Sequence, residues 1–442
     1  MKLKSFCFGI LILTLPALAP AQSTNNWLTI GAGKWEIGSN WSLGAPRVTQ
    51  AFVRMSFTML GGTAFIDAAT VASNGLNSCM TVSNLIMSAS DSGGVSLNLT
   101  NASTATPFRI RNTFSITGGF FSGVGVSNSV MQLDGLSGGI FAIDAFVTLY
   151  PSGAITGAAP VRIGNVHYGE MDIRGGTWLA TGGARVGNLA GSLGTLSILD
   201  GSNTVSGLTV GTSAGATGTV SMTGGQLTSI SSDNFIGFAG AGQMTVSGGT
   251  LLAANLTVGD LAGSRGTLTM SGGTNTISGQ LFLGETATAT GSVWVTGGEF
   301  VATNANFRIG RSGVGKMTVS NGTARLSSLT LGDQPGSRGL LTVVGGSTQS
   351  SGILTVGNAA NATGTVLQTG GLFDIGLGVI GNSGVGEMTV SNGTFLAGSF
   401  GSFEIGRSAG GRGTLTIAGG TAVLSDYVVL SATALARRPA RL

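Results

Sequence analysis

"GRSGVGKMTVSNGT" (310–323) decides how this chain is read. Gly310, four residues, Gly315 and Lys316 match the phosphate-cradling pattern G-x-x-x-x-G-K, but Met317 stands where the pattern requires Ser or Thr. A phosphate loop must also open a helix whose N-terminus faces the anion. Here "KMTVS" continues as an alternating run, Met317 and Val319 to one side, Lys316 and Thr318 to the other, which is a strand.

The stretch has three copies in the same chain: "GNVHYGEM" (164–171), "GFAGAGQM" (237–244) and "GNSGVGEM" (381–388). Lys316 aligns with Glu170, Gln243 and Glu387. The pattern is therefore read as a corner of a repeat, and no nucleotide or cofactor is expected. The single histidine, His167, aligns with Gly240, Gly313 and Gly384, and is read as an exposed turn residue. One histidine supplies neither an H-E-x-x-H zinc site nor, in that position, a triad base. No catalytic, cofactor-binding or metal-binding residue is assigned.

Outward from this stretch the repeat governs most of the chain. An apolar residue followed by Gly recurs at Gly164, Gly187, Gly211, Gly237, Gly259, Gly284, Gly310, Gly332, Gly357, Gly381 and Gly406. Between these lie Gly-Gly or Asn-Gly pairs, each preceded by a run such as "GTVSMTGG" or "GTLTMSGG". Leu268 and Met270 head one column, continued by Met171/Ile173, Leu196/Ile198, Met244/Val246, Val293/Val295, Met317/Val319, Met388/Val390 and Leu415/Ile417. Gln368 is the exception, a polar residue in an apolar column. Facing inward it needs partners, and a local register shift would avoid that cost. Coils of about 24 residues with glycine corners predict an all-β fold: a single-stranded parallel β-helix, with right-handed winding the expectation for parallel crossovers. Some fifteen coils over 60–430 make a rod roughly 70 Å long at the ~4.8 Å strand spacing. Longer copies, such as "AGSLGTLS", "AGSRGTLT", "PGSRGLLT" and "AGGRGTLT", repeat every three coils.

Composition agrees. Gly is 78 of 442 residues, more than twice the usual ~7%, with 9% charged and 6% aromatic residues. Residues 1–21 read as a signal peptide: Lys2 and Lys4, the apolar "FCFGILILTL" containing Cys7, then Ala19-Pro20-Ala21. Export would leave Cys79 as the one cysteine, with no internal disulfide. No later segment is apolar for long enough to span a membrane as a helix. The formal charge is +4; without Lys2 and Lys4, 19 basic residues face 17 acidic ones. That balance does not favour nucleic acid as a partner.

The organisation expected is a Trp-rich start or cap over 22–60, less regular coils over 61–160, regular coils over 161–430 and a basic tail over 431–442 with Arg437, Arg438 and Arg441. The last coil lacks an evident lid, so end-to-end self-association is expected. Arg265, Arg338 and Arg412 share one turn position three coils apart, roughly 14 Å by the strand spacing, and read as decoration rather than one anion site. Asp172 and Glu170 share a strand face and read as a solvated pair. Outward threonines such as Thr267/Thr269 and Thr414/Thr416 resemble ice-binding ladders, but Glu387, Lys316, Trp294 and Leu340 interrupt the columns.

"LTVGDLAGSRGTLTMSGGT" (256–274) and "FEIGRSAGGRGTLTIAGGT" (403–421) resemble the autotransporter-associated and PEP-CTERM-associated β-strand repeats of bacterial exported proteins. The opening "NWLTIGAGKWEIGSNWSLGAPRV" (26–48) resembles the start of such chains. The resemblance implies a non-enzymatic cell-surface or secreted passenger with a structural or adhesive role, meeting surface glycans or a neighbouring cell. Two departures stand out: neither a C-terminal β-barrel nor a Pro-Glu-Pro sorting tail follows the last coil. Release without an anchor and a truncated product are the two readings of that departure. The alternative function is a polysaccharide-binding or polysaccharide-degrading β-helix, with Asp134, Asp144, Arg109 and Arg111 as the place to look.

Overall fold

The computed structural model describes residues 23–57, 61–73, 80–90, 93–105, 107–118, 122–398, 402–424 and 427–430, with 303–305 by backbone alone. The expected signal peptide, Cys79 and the basic tail lie outside the described residues. The chain winds as a β-solenoid whose named strands all pair in parallel. Each coil contributes one strand to a sixteen-stranded sheet, and fifteen of those sixteen start at Gly62 or later. Two shorter strands per coil build the second and third faces. Those faces join into one sheet because Glu299–Ile309, Thr323–Leu331, Ser347–Val356 and Leu372–Ile380 run through the corner between them. The exceptions to β structure are short, among them an α-helical turn at Ala68–Ser73. No helix among the described residues is long and apolar enough to cross a membrane.

Register follows the alternation. Gln243, Thr267 and Ser292 stack in one outward column while Met244, Leu268 and Val293 stack in the inward one beside it. Such stacking lets identical positions share one continuous core, which runs from Trp27 to Ile405. Leu415 and Ile417 depart from the column: Leu415 is half-buried and Ile417 is 38% exposed. Their strand pairs only with Val385–Val390 among the described residues, so one side of the last rung lacks a covering layer.

Gln368 does face inward and is fully buried, in unbroken register between Val343 and Val390. The shift that would have spared it does not occur. Its amide nitrogen instead donates to the carbonyls of Thr394 (2.9 Å) and Gly371 (3.2 Å), while Oε1 has no partner. Asn203 and Asn275 make a related bond on the second face, each donating to a carbonyl of the paired strand on the next rung, Gln226 and Glu299. With Thr348 they occupy one inward column every third coil. The three-coil period seen in the turns is thus also written into the core.

At the N-terminal end the Trp-rich segment is itself a coil, with Thr24–Asn26 paired to Phe52–Phe57 and Gly31–Lys34 to Gly62–Ile66. Trp27, Trp35 and Trp41 are buried edge to face, with ring centroids 4.8 Å apart in both pairs, and Trp35 meets Phe108 at 5.1 Å. Trp41 donates its indole N–H to the Trp35 carbonyl at 2.8 Å, and Trp27 to the Thr29 carbonyl at 2.6 Å, so each brings its polar atom satisfied.

Candidate functional site

The 310–323 stretch is a corner followed by a strand, Val314–Val319. Gly310 has φ +72°, and a Cβ there would come within 2.1 Å of the Arg338 carbonyl one coil on. Close stacking of coils, not an anion, demands that glycine. Lys316 is exposed on the strand, between Ser292 and Leu340. His167 is exposed in its turn, its backbone N–H donating to Asp144 Oδ1 at 3.0 Å. Arg265, Arg338 and Arg412 are exposed at one column position, separated by two intervening strands in each interval.

The residues singled out for polysaccharide chemistry do not converge. Arg109 pairs with Asp134 at 2.6 Å on the second face, and Gln132 donates to the other Asp134 oxygen. Asp144 is buried and accepts the Val166 and His167 backbone N–H groups through one oxygen. Arg111 is exposed at the end of its strand. Among the described residues no group of three or more His, Cys, Asp and Glu side chains lies close enough to hold a metal ion.

A different constellation forms on the outer face of the sixteen-stranded sheet, around the strand "GVGVS" (Gly123–Ser127). Val124 and Val126 point into the core, which leaves Gly123 and Gly125 facing outward. The corresponding outward positions on later rungs carry Thr, Ser or larger side chains: Thr195 and Ser197, Thr219 and Ser221, Thr267 and Thr269. The two missing side chains leave a depression of about 260 Å³, walled by Ser96, Asn98, Phe146, Thr148 and Tyr150.

The next rung extends this wall. Phe146 meets Tyr168 with centroids 5.8 Å apart, and the Arg174 guanidinium lies 5.7 Å from the Tyr150 ring centre. Arg174 pairs with Asp172 at 2.7 Å, and Tyr168 donates its hydroxyl to Glu170 at 2.5 Å. Partial burial, together with that hydrogen bond and the charge of Glu170, pushes the Tyr168 phenol up to about 12. Tyr168 therefore stays a neutral donor at any ordinary pH. Two of the chain's three tyrosines stand here, in a protein that is only 6% aromatic.

A second outward aromatic group, Phe235, Phe238 and Phe282 on the third face, offers less. Arg308 and Arg311 lie over Phe282 at 5.6 and 4.8 Å, and those cations are in turn paired with Asp333 and Glu285.

No protein-family model, no curated protein and no solved structure matches the chain. The reading of the site rests on its own geometry.

Proposed function

We propose that this chain is a non-enzymatic, exported β-solenoid that works as a structural or adhesive element at the cell surface or after release. One observation carries the reading. The sixteen rungs share a single core, and the carboxylates nearest the Gly123/Gly125 depression are committed to neighbours, Asp172 to Arg174 and Glu170 to Tyr168. A rod of about 70 Å at the ~4.8 Å rung spacing suits a spacer or display surface. Export is supported by the Lys2/Lys4 and "FCFGILILTL" pattern, and the passenger role by the resemblance of 256–274 and 403–421 to surface-protein repeats. End-to-end association belongs to the same proposal. Its support is the last three strands, Arg412–Ile417, Thr421–Leu424 and Tyr427–Leu430, each paired on one side only among the described residues, with Val423 and Val428 about half exposed.

The test is incubation of the purified protein with bacterial and plant polysaccharides, read by release of reducing ends and by the absorbance of unsaturated lyase products. No turnover is expected. Release of product above a heat-unfolded control overturns the non-enzymatic reading in favour of the polysaccharide-degrading alternative.

A further inference from the structure

We infer that the Gly123/Gly125 depression is a binding subsite for one sugar ring of a neutral glycan chain, with Tyr150 and Phe146 as the apolar wall and Asn98 and Thr148 as polar contacts. The inference rests on the non-enzymatic, adhesive reading and says what is adhered to.

Glycine is the first observation. Most glycines of this chain are forced, because a Cβ would strike backbone: Gly266, for example, would place one 2.0 Å from the Ile236 carbonyl. Gly125 is different. It does not have positive φ, and a Cβ there would meet only side-chain atoms, Asn98 Oδ1 at 3.2 Å and Tyr150 Cε2 at 3.6 Å. Nothing in the backbone requires glycine in mid-strand, where it costs roughly 0.5–1 kcal/mol relative to Ala. A glycine of this kind marks a place where something approaches the sheet closely.

The side chains around it give the chemistry of what approaches. Tyr150 is 38% exposed and Tyr168 is 42% exposed, so rings stand out beside the Thr195/Ser197 and Thr219/Ser221 positions of the following rungs. A pyranose presents an apolar face of C–H bonds to such a ring and hydroxyls at its rim. The Asn98 amide has no hydrogen bond to the described protein and lines the depression. An amide supplies both donors and an acceptor. The Thr148 hydroxyl, also in the lining, can both donate to and accept from a sugar hydroxyl.

Charge excludes the acidic glycans. Glu170 and Asp172 stand against Arg174 alone, and that guanidinium is occupied by Asp172 and stacked on Tyr150. A uronate or sulfate would seat beside a rung, the one after Phe146 and Thr148, that carries one surplus negative charge. Size excludes an enclosed ligand: about 260 Å³ lies below the roughly 300–1,000 Å³ of pockets that bury a whole small molecule. An open shelf of that volume seats one ring while the polymer continues over the flat Ser/Thr face beyond it.

The experiment uses the full chain in affinity electrophoresis through gels containing soluble neutral glucans, xylans or mannans, with polygalacturonate as the anionic arm. Three proteins are compared: native, Tyr150→Ala, and Gly125→Thr. The last fills the floor with the residue the sheet carries at Thr245 and Thr269. It replaces a mid-strand glycine by a strand-favouring residue and needs only the Asn98 and Tyr150 side chains to shift; circular dichroism and the melting temperature verify that the fold is kept. Retardation of the native protein by at least one neutral glycan is expected, weakened about ten-fold or more in both variants, and none by polygalacturonate. Ten-fold corresponds to about 1.4 kcal/mol. Absence of retardation by any neutral glycan, equal retardation of native and Gly125→Thr, or preference for polygalacturonate overturns the subsite. The two proposals fail separately: cleavage of a glycan that still depends on Gly125 sinks the non-enzymatic reading alone, while an inert, well-folded rod sinks the subsite alone.

Discussion

From Gly31 to Gly62, Gly62 to Val95 and Ser96 to Gly123 the coils advance by 31, 33 and 27 residues. From Leu193 to Val314 five coils advance by 24 or 25 each. Both regions obey one rule, that inward columns stay apolar and in register. They differ in what the extra residues do. In the regular region each corner has minimal length, and outward positions repeat with small variation. In the N-terminal region longer connections carry the Ala68–Ser73 helical turn and the segment that brings Trp35 and Trp41 under the first rung. The depression and its aromatic wall lie where the second region begins. A repeat stacks best when every coil is alike, so departures from likeness are the places where something besides stacking has shaped the sequence.

The largest effect is expected at the closed end. Trp35→Ala removes a fully buried ring that touches both Trp41 and Phe108, and should cost about 3–5 kcal/mol. The loss should be local, with hydrogen exchange rising over roughly the first rungs while those beyond Leu193 keep their protection. Uniform loss of protection would mean that the two regions unfold as one body. Leu268→Ala, in mid-array between Met244 and Val293, should cost about 2–5 kcal/mol. It sharpens the comparison from the other side, since nearest-neighbour coupling places its damage on flanking rungs in both directions.

Next in size is Gln368→Met. Met222 and Met270 hold this same inward column on other rungs, so the side chain fits in kind and nearly in volume. The carbonyl of Gly371 already accepts the Thr394 backbone N–H at 2.8 Å, so the amide's donation there is an extra bond. Removing the orphaned Oε1 should stabilise the protein by roughly 1 kcal/mol, measured as a rise in the denaturant midpoint with unchanged slope. A fall would mean that Gln368 is needed for the corner geometry.

Alternation made the regular region readable: Met317/Val319 and its copies from Met171/Ile173 to Met388/Val390 face the core as the pattern "KMTVS" dictates, and only Leu415/Ile417 on the last rung are left partly open. Gln368 could be flagged from the same pattern but not resolved, because the Thr394 carbonyl one coil on, together with that of nearby Gly371, decides whether an inward amide is tolerated. The depression was also written plainly. "GVGVS" alternates like any other strand, with glycine in the outward phase. In a chain where glycine usually means a corner, its period-two spacing was the signal. Tyr150, Phe146 and Tyr168 were not visible as a group, because their meeting depends on coil steps of 23–25 residues that only the register fixes. Of Arg109, Arg111, Asp134 and Asp144 only Arg109 and Asp134, one coil apart, are paired. Nearness in sequence across a corner puts residues on different faces, while residues one coil apart become neighbours.

The smallest effect concerns Tyr168, at the boundary between the two regions. Its phenol is raised from the ordinary value of about 10 to about 12, chiefly by burial and secondarily by Glu170. A group that holds its proton more tightly folded than unfolded contributes stability fully below the unfolded value, and that contribution disappears as pH rises through the folded one. Between about pH 10 and 12 the native protein should therefore lose stability faster with pH than Tyr168→Phe, which keeps the ring against Phe146 but has no proton to lose. Below about pH 9 the difference between the two should be flat. Tyrosinate absorbance checks the assignment: a rise near pH 12 in the native chain should be missing from Tyr168→Phe. If instead the rise is present in both, the hydroxyl is not held by Glu170 as placed, and the wall of the depression is looser than the in-register rungs beside it.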